Sequence, residues 1–309
     1  MSATSVSLSN TVRPRRPLSA HLRRARRRWL APYLFVLPFV LTFAIFSAYP
    51  LIFTLRLSFT NWKGAGVAEW IGWENYTYLL TNVGFWSSMA NSGALWLLIV
   101  PIQVVLAVAA SVLLNDAKLK LRGFYRTAFI VPFVTPLVAM AQIWIVVFDT
   151  NYGAFNSLLN VFGLPDIPWL ITSEWAKPTL ALLFLWKTTG FAIIIVLSGL
   201  QSISNEVYEA AQLDGASRFR QVIDITVPLI SRTLAFLVVL QTLAVFQMFA
   251  EPYVMTEGGP YGSTTTAGLY LYNHIRVSDL GTGAANSLLL VVAMLLLSLV
   301  SVRLLRGRH

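Results

Sequence analysis

Long apolar runs alternate with short polar connections along the whole chain. The runs lie near Trp29–Phe53, Trp86–Leu114, Phe124–Phe148, Pro178–Ile203, Thr233–Met255 and Asn286–Leu305. Each reaches the ~20 residues at which an α-helix crosses the hydrocarbon core of a bilayer. A helix also satisfies its own backbone polar groups, as a segment surrounded by lipid must. A transmembrane β-barrel would instead show short strands that alternate apolar and polar residues. The pattern predicts an all-α membrane protein of about six transmembrane helices. The first run is longer than the apolar region of about 7–15 residues in a secretory signal. It reads as an uncleaved first span.

Composition supports this reading. Of 309 residues, 56% are hydrophobic and 12% charged, against roughly 25% charged in soluble domains. Mean hydropathy is +0.66. The composition argues against a soluble domain and excludes disorder for the bulk of the chain. The sequence has no cysteine, which removes thiol catalysis, disulfides and thiolate metal sites.

The net charge of +10 matters less than where the charges sit. Residues 1–28 carry eight arginines. With the N-terminus inside, further inner segments carry Lys118, Lys120, Arg122 and Arg126, then Arg218, Arg220 and Arg232, then Arg303, Arg306 and Arg308. The outer segments carry only Arg56, Lys63, Lys177 and Arg276. Eighteen inner cations against four outer ones predict that both termini are cytoplasmic. The expected organisation is an Arg-rich cytoplasmic tail (1–28), a transmembrane domain (29–305) with a cytoplasmic loop at 204–232, and a cytoplasmic C-terminal tail (306–309). The Arg-rich tail reads as topology control, with no nucleic-acid partner. Trp62, Trp70, Trp73, Tyr76 and Tyr78 in the first outer loop suit the membrane interface.

The loop at 204–232 is the most informative stretch. Ser204 or Asn205 suits a helix N-cap, and Glu206 suits the first turn. A helix over 206–214 sets Ala210 beside Ala211, where small side chains let another surface approach the backbone. Gly215 suits the left-handed position that ends a helix. A second helix is expected from Ala216 to about Thr226, with Pro228 starting the next span. The product is a helix–glycine–helix elbow, too short to fold alone and shaped for docking.

Within the spans, Lys187 and Glu251 are the charged residues at depth. Charge there faces a bundle interior or a wet cavity. Lys187 has two readings: a polar lining of a solute pathway, or a pair with a carboxylate on a partner subunit. Glu251, beside Pro252 near the outer end of its span, is expected to snorkel outward. Pro132 and Pro136 share a face of the third span and are expected to bend it. Chemistry is otherwise absent. There is no Gly-rich phosphate loop with Lys-Ser/Thr. His21, His274 and His309 all lie outside the spans, and no carboxylate pair is placed for hydrolysis. No catalytic residue, metal site or bound cofactor is expected.

Glu209-Ala210-Ala211, Gly215 and Ile225-x-Val227-Pro228 resemble the EAA loop of permease subunits of binding-protein-dependent ABC importers. Val227 departs from the usual leucine. Gly258-Gly259-Pro260, Thr264-Thr265-Thr266, Ser198-Gly-Leu-Gln-Ser-Ile203, Tyr49-Pro50 and Asn61-Trp62 resemble carbohydrate permeases of the maltose and glycerol-phosphate type. The resemblance implies an ABC type I importer permease fold in the cytoplasmic membrane. It also implies a second homologous permease in a heterodimer and an extracytoplasmic binding protein that delivers a carbohydrate. Two cytoplasmic ATPase subunits would bind ATP and Mg. Glu209, Ala210, Ala211, Leu213, Asp214 and Gly215 would form the ATPase-docking elbow. Trp186, Lys187, Thr189, Gly190, Gln247 and Glu251 are pathway candidates. Trp186, Thr189, Gly190 and Gln247 match contact positions of the maltose-type permease by spacing, with different residue types at several. An ion-driven secondary transporter is the alternative, but no internal repeat and few buried charges support it.

Overall fold

The computed structural model describes residues 33–116 and 119–306. The Arg-rich tail of residues 1–28, the first residues of the first apolar run, Lys118 and residues 307–309 lie outside them. In chain order the helices are α1 (Tyr33–Leu57), α2 (Glu74–Thr81), α3 (Val83–Asn115), α4 (Arg122–Val134), α5 (Leu137–Val147) and α6 (Ala154–Val161). They continue with α7 (Ser173–Leu200), α8 (Asn205–Leu213), α9 (Ser231–Phe246), α10 (Ala250–Met255), α11 (Ala267–Arg276) and α12 (Leu280–Arg306). α1, α3, α7, the α9–α10 stretch and α12 are each long and apolar enough to cross a membrane, and α4 with α5 qualify as a pair. These are the six expected spans, with ends shifted by a few residues.

Two compact units divide the chain, one up to Thr54 and one from Leu55 onward. In the first, α1 contains a π-helical turn at Ala44–Ala48. Thr42 Oγ1 donates to the carbonyls of Pro38 and Phe39. The second unit is a helix bundle whose centre is the packing of α3 on α7. Leu95, Ile99, Leu180, Leu183 and Phe184 form one layer of that core. Ala107, Ala192, Ile193, Val196 and Leu237 form another. Lipid tails are as apolar as these side chains, so close packing and hydrogen bonds between helices hold the bundle. Gln103 Nε2 donates to Thr188 Oγ1 at 2.8 Å, Trp96 Nε1 to Thr242 Oγ1 at 2.8 Å, and Ser111 Oγ to the Ile193 carbonyl at 2.9 Å.

The third span departs from expectation. It is not one bent helix: α4 and α5 meet at 96°. Pro136 has no N–H to offer the Pro132 carbonyl, and it holds Thr135 in extended backbone (φ −69°, ψ 141°). The helix therefore ends, and Pro136 becomes the N-cap of a new one. The Pro132 carbonyl is satisfied locally by the N–H and the hydroxyl of Thr135.

α7 crosses α4 at Gly190. A Cβ built there would collide with the Phe129 carbonyl. Gly190→Ala is expected to destabilise the bundle by about 1–3 kcal/mol through overpacking, read as a lowered unfolding temperature in detergent. Gly93→Ala, where a Cβ meets nothing within 4 Å, is the control and is expected to leave that temperature unchanged or raise it.

Candidate functional site

The elbow follows from its capping residues. Ser204 Oγ accepts the Glu206 N–H at 3.3 Å and opens α8. At the other end Gly215 takes φ +77°. Its N–H donates to the Gln212 carbonyl at 3.0 Å, and the Ala216 N–H to the Ala211 carbonyl at 2.9 Å. This pair of bonds is a Schellman closure, which turns the chain sharply after α8. The second arm is not the α-helix expected over Ala216–Thr226. Three α-helical residues, Arg218–Arg220, run into a π-helical turn, Gln221–Thr226. Val227–Leu229 then leads to α9, with Pro228 in the first turn as expected. Tyr208 Oη and Thr226 Oγ1, 3.1 Å apart, clamp the two arms together. Gln221 Nε2 donates to the Ala216 carbonyl at 2.9 Å. Arg218 reaches Asp116 at the end of α3, 3.4 Å away.

The predicted docking residues share this elbow but not one environment. Ala211 is buried against the bundle, whereas Glu209, Ala210, Asp214 and Gly215 are exposed. Leu213 is 90% exposed, and Phe219, which the sequence reading did not single out, is 74% exposed. Both project apolar surface from a polar loop.

The second feature is a cavity of about 950 Å³ between α3, α4 and α7. Trp186, Thr189, Gly190 and Ile193 line it from α7, facing Tyr125 and Phe129 of α4. The spacing of the four α7 residues puts them on one helix face. Trp186 is 41% exposed and lies 5.4 Å from Trp144 of α5. Thr189 Oγ1 is buried without a hydrogen-bond partner. The Trp186 ring in an apolar wall can take the C–H surface of a ligand, whereas the Thr189 oxygen is closed off from the cavity.

The other pathway candidates sit elsewhere. Lys187 turns off that face and donates to the carbonyls of Thr135 at 2.8 Å and Phe133 at 3.3 Å. Glu251 does not snorkel outward: it is 6% exposed. It lies in the first turn of α10, and α10 packs across α5 and α7, so no route to the surface is left. Glu251 and Lys187 make no direct ion pair. Gln247 is exposed at the end of α9, with Nε2 3.9 Å from Met294 Sδ, away from the cavity. The six candidates are therefore not one constellation.

At the opposite end of α3 from the elbow, Asn91 Nδ2 donates to the carbonyls of Gly262 at 2.9 Å and Thr265 at 3.0 Å. Thr264 Oγ1 donates to the Gly259 carbonyl at 2.7 Å and also meets Thr256 Oγ1 at 2.7 Å. The Gly-Gly-Pro segment is thus a built turn stapled to α3. Asparagine within an apolar run was the available signal for it. Among the described residues no group of acidic, histidine or cysteine side chains could hold a metal.

Residues 103–307 match the family described as binding-protein-dependent transport system inner membrane component. The chain is 32% identical over 279 residues to the trehalose/maltose transport system permease protein MalF of Thermococcus litoralis, covering 90% of this chain and 94% of that one. It is 32% identical over 280 residues to the arabinooligosaccharides transport system permease protein AraP of Bacillus subtilis, covering 89% and 88%. In fold it resembles the crystal structure of a bacterial ABC transporter involved in the import of the acidic polysaccharide alginate. That likeness has a TM-score of 0.79 at 24% identity and covers 94% of this chain and 99% of that one. The chain belongs to the family of inner-membrane components of binding-protein-dependent transport systems.

Proposed function

We propose that the chain is one permease subunit of an ATP-driven importer that passes a carbohydrate across the cytoplasmic membrane by alternating access. The observation that carries this reading is the elbow. It is locally rigid, closed by paired backbone bonds after α8, and it displays Leu213 and Phe219 to an aqueous partner. The skew of Lys and Arg supports a cytoplasmic side for the elbow and both termini. There it would seat in a cleft of an ATPase subunit that holds ATP and Mg. The chain itself does no chemistry. Its elbow transmits ATPase closure to α7 and α9, the spans that flank it. A second, homologous permease completes the pore in a heterodimer, and an extracytoplasmic binding protein delivers the solute. Curated relatives named for trehalose/maltose, lactose and arabinooligosaccharides support the carbohydrate assignment. The cavity beside Trp186 and Thr189 is this subunit's half of the pathway.

Affinity purification from native membranes, followed by an ATPase assay, tests the assembly. A second six-span protein and an ATPase are expected in the eluate; recovery of the chain alone would sink the reading. The cysteine-free sequence makes Leu213→Cys a clean topology probe. Membrane-impermeant maleimide is expected to label it from the cytoplasmic face only, and the bound ATPase to protect it. Gly215→Arg is expected to leave the chain in the membrane and ATP hydrolysis running while uptake falls at least tenfold. Unchanged uptake would remove the elbow from the coupling path. Trp186→Ala is expected to raise KM for maltose, trehalose or lactose, whichever is taken up, by about tenfold, equivalent to ~1.4 kcal/mol.

A further inference from the structure

The half-buried Lys187 makes contacts that no solute is needed to explain. Where α4 stops at Pro136, the carbonyls of its last turn lose the amide donors of a continuing helix. In a membrane no water replaces them. Two of these carbonyls, Phe133 and Thr135, both accept from Lys187 Nζ, at 3.3 and 2.8 Å. The negative end of the α4 dipole adds to the attraction. Lys187 is also absent from the cavity wall, although Trp186, Thr189 and Gly190 around it all line that wall. A residue aimed at solute would sit on their face.

We propose that Lys187 is a positioning residue that holds α4 and α5 at their 96° angle by supplying the donors missing at the break. It rides on α7, so one side chain ties that helix to the end of α4 and to the link that leads into α5. Glu251 lies on α10, which packs against α5 and α7, but it makes no ion pair with Lys187. α4 forms a wall of the cavity through Tyr125, Phe129 and Pro132, so the angle sets the cavity's shape. That last consequence rests on reading the cavity as a solute pathway; the positioning role does not.

The test measures the angle directly, without solute. Thr127 on α4 and Val146 on α5 are exposed, and the chain has no other thiols, so Thr127→Cys with Val146→Cys takes two spin labels. Pulsed dipolar spectroscopy of the full chain in lipid nanodiscs is expected to give one narrow distance distribution. Lys187→Met, which fills the same space without donors, is expected to broaden it at least twofold. Lys187→Arg, which can reach both carbonyls, is expected to restore it. Should Lys187→Met not reach the membrane, Lys187→Gln, a shorter uncharged donor, takes its place with the same expected broadening. An unchanged distribution in the donor-free or shortened variant overturns the proposal, as does a broadening that Lys187→Arg fails to reverse. Because no transport is read, failure here is distinguishable from failure of the importer assignment.

Discussion

Every backbone polar group in the hydrocarbon region must find a partner inside the protein, and the rest of the structure follows from that constraint. Unbroken helices meet it by themselves. The two broken spans meet it with side chains. At the α4–α5 break the donors are the Thr135 hydroxyl and the Lys187 ammonium. After α9 the chain leaves helical geometry, and the Thr266 hydroxyl donates to the Met248 carbonyl. Thr266 also caps α11, so one residue both closes a break and starts the next helix.

The same scarcity of donors explains how the helices are held. There is no hydrophobic driving force between helices in lipid, so close approach and polar cross-links carry the load. Gly190 lets α7 lie on the α4 backbone, and Gly199 lets the end of α7 lie against Thr233 of α9. Asn75 in α2 performs the equivalent task before α3, donating to the carbonyls of Ser58 and Thr60 at 2.9 Å while accepting from Thr282. The elbow and the Gly-Gly-Pro turn are thereby mounted at opposite ends of α3, one through Arg218–Asp116 and the other through Asn91.

Six spans and one elbow were legible in the sequence because both are local. Run length sets a span, and the Ser204 cap and Gly215 set the elbow. The 96° break was not legible, because hydropathy runs through Pro132 and Pro136 without interruption. Prolines announce a fault but not its angle, which depends on what the neighbouring helix offers. Glu251 was misread for a related reason. A charge near a span's end snorkels only if nothing covers it, and α10 folds against α5 and α7. The π-helical second arm of the elbow also escaped, since one extra residue per turn leaves no compositional mark. Trp186, Thr189, Gly190 and Gln247 were grouped by resemblance; the first three line one cavity and Gln247 lies away from it.

The elbow's exposed apolar residues bear on the life of the chain before assembly. Leu213 and Phe219 stand almost free of the bundle. Their burial against a partner would stabilise each contact by about 1.5–3 kcal/mol. Until then they are a sticky flag on the water-facing side of the membrane, where chaperones and proteases patrol. An orphan subunit would be visible and a completed one hidden. Subunit stoichiometry could then be kept by degradation of the excess, with no dedicated sensor.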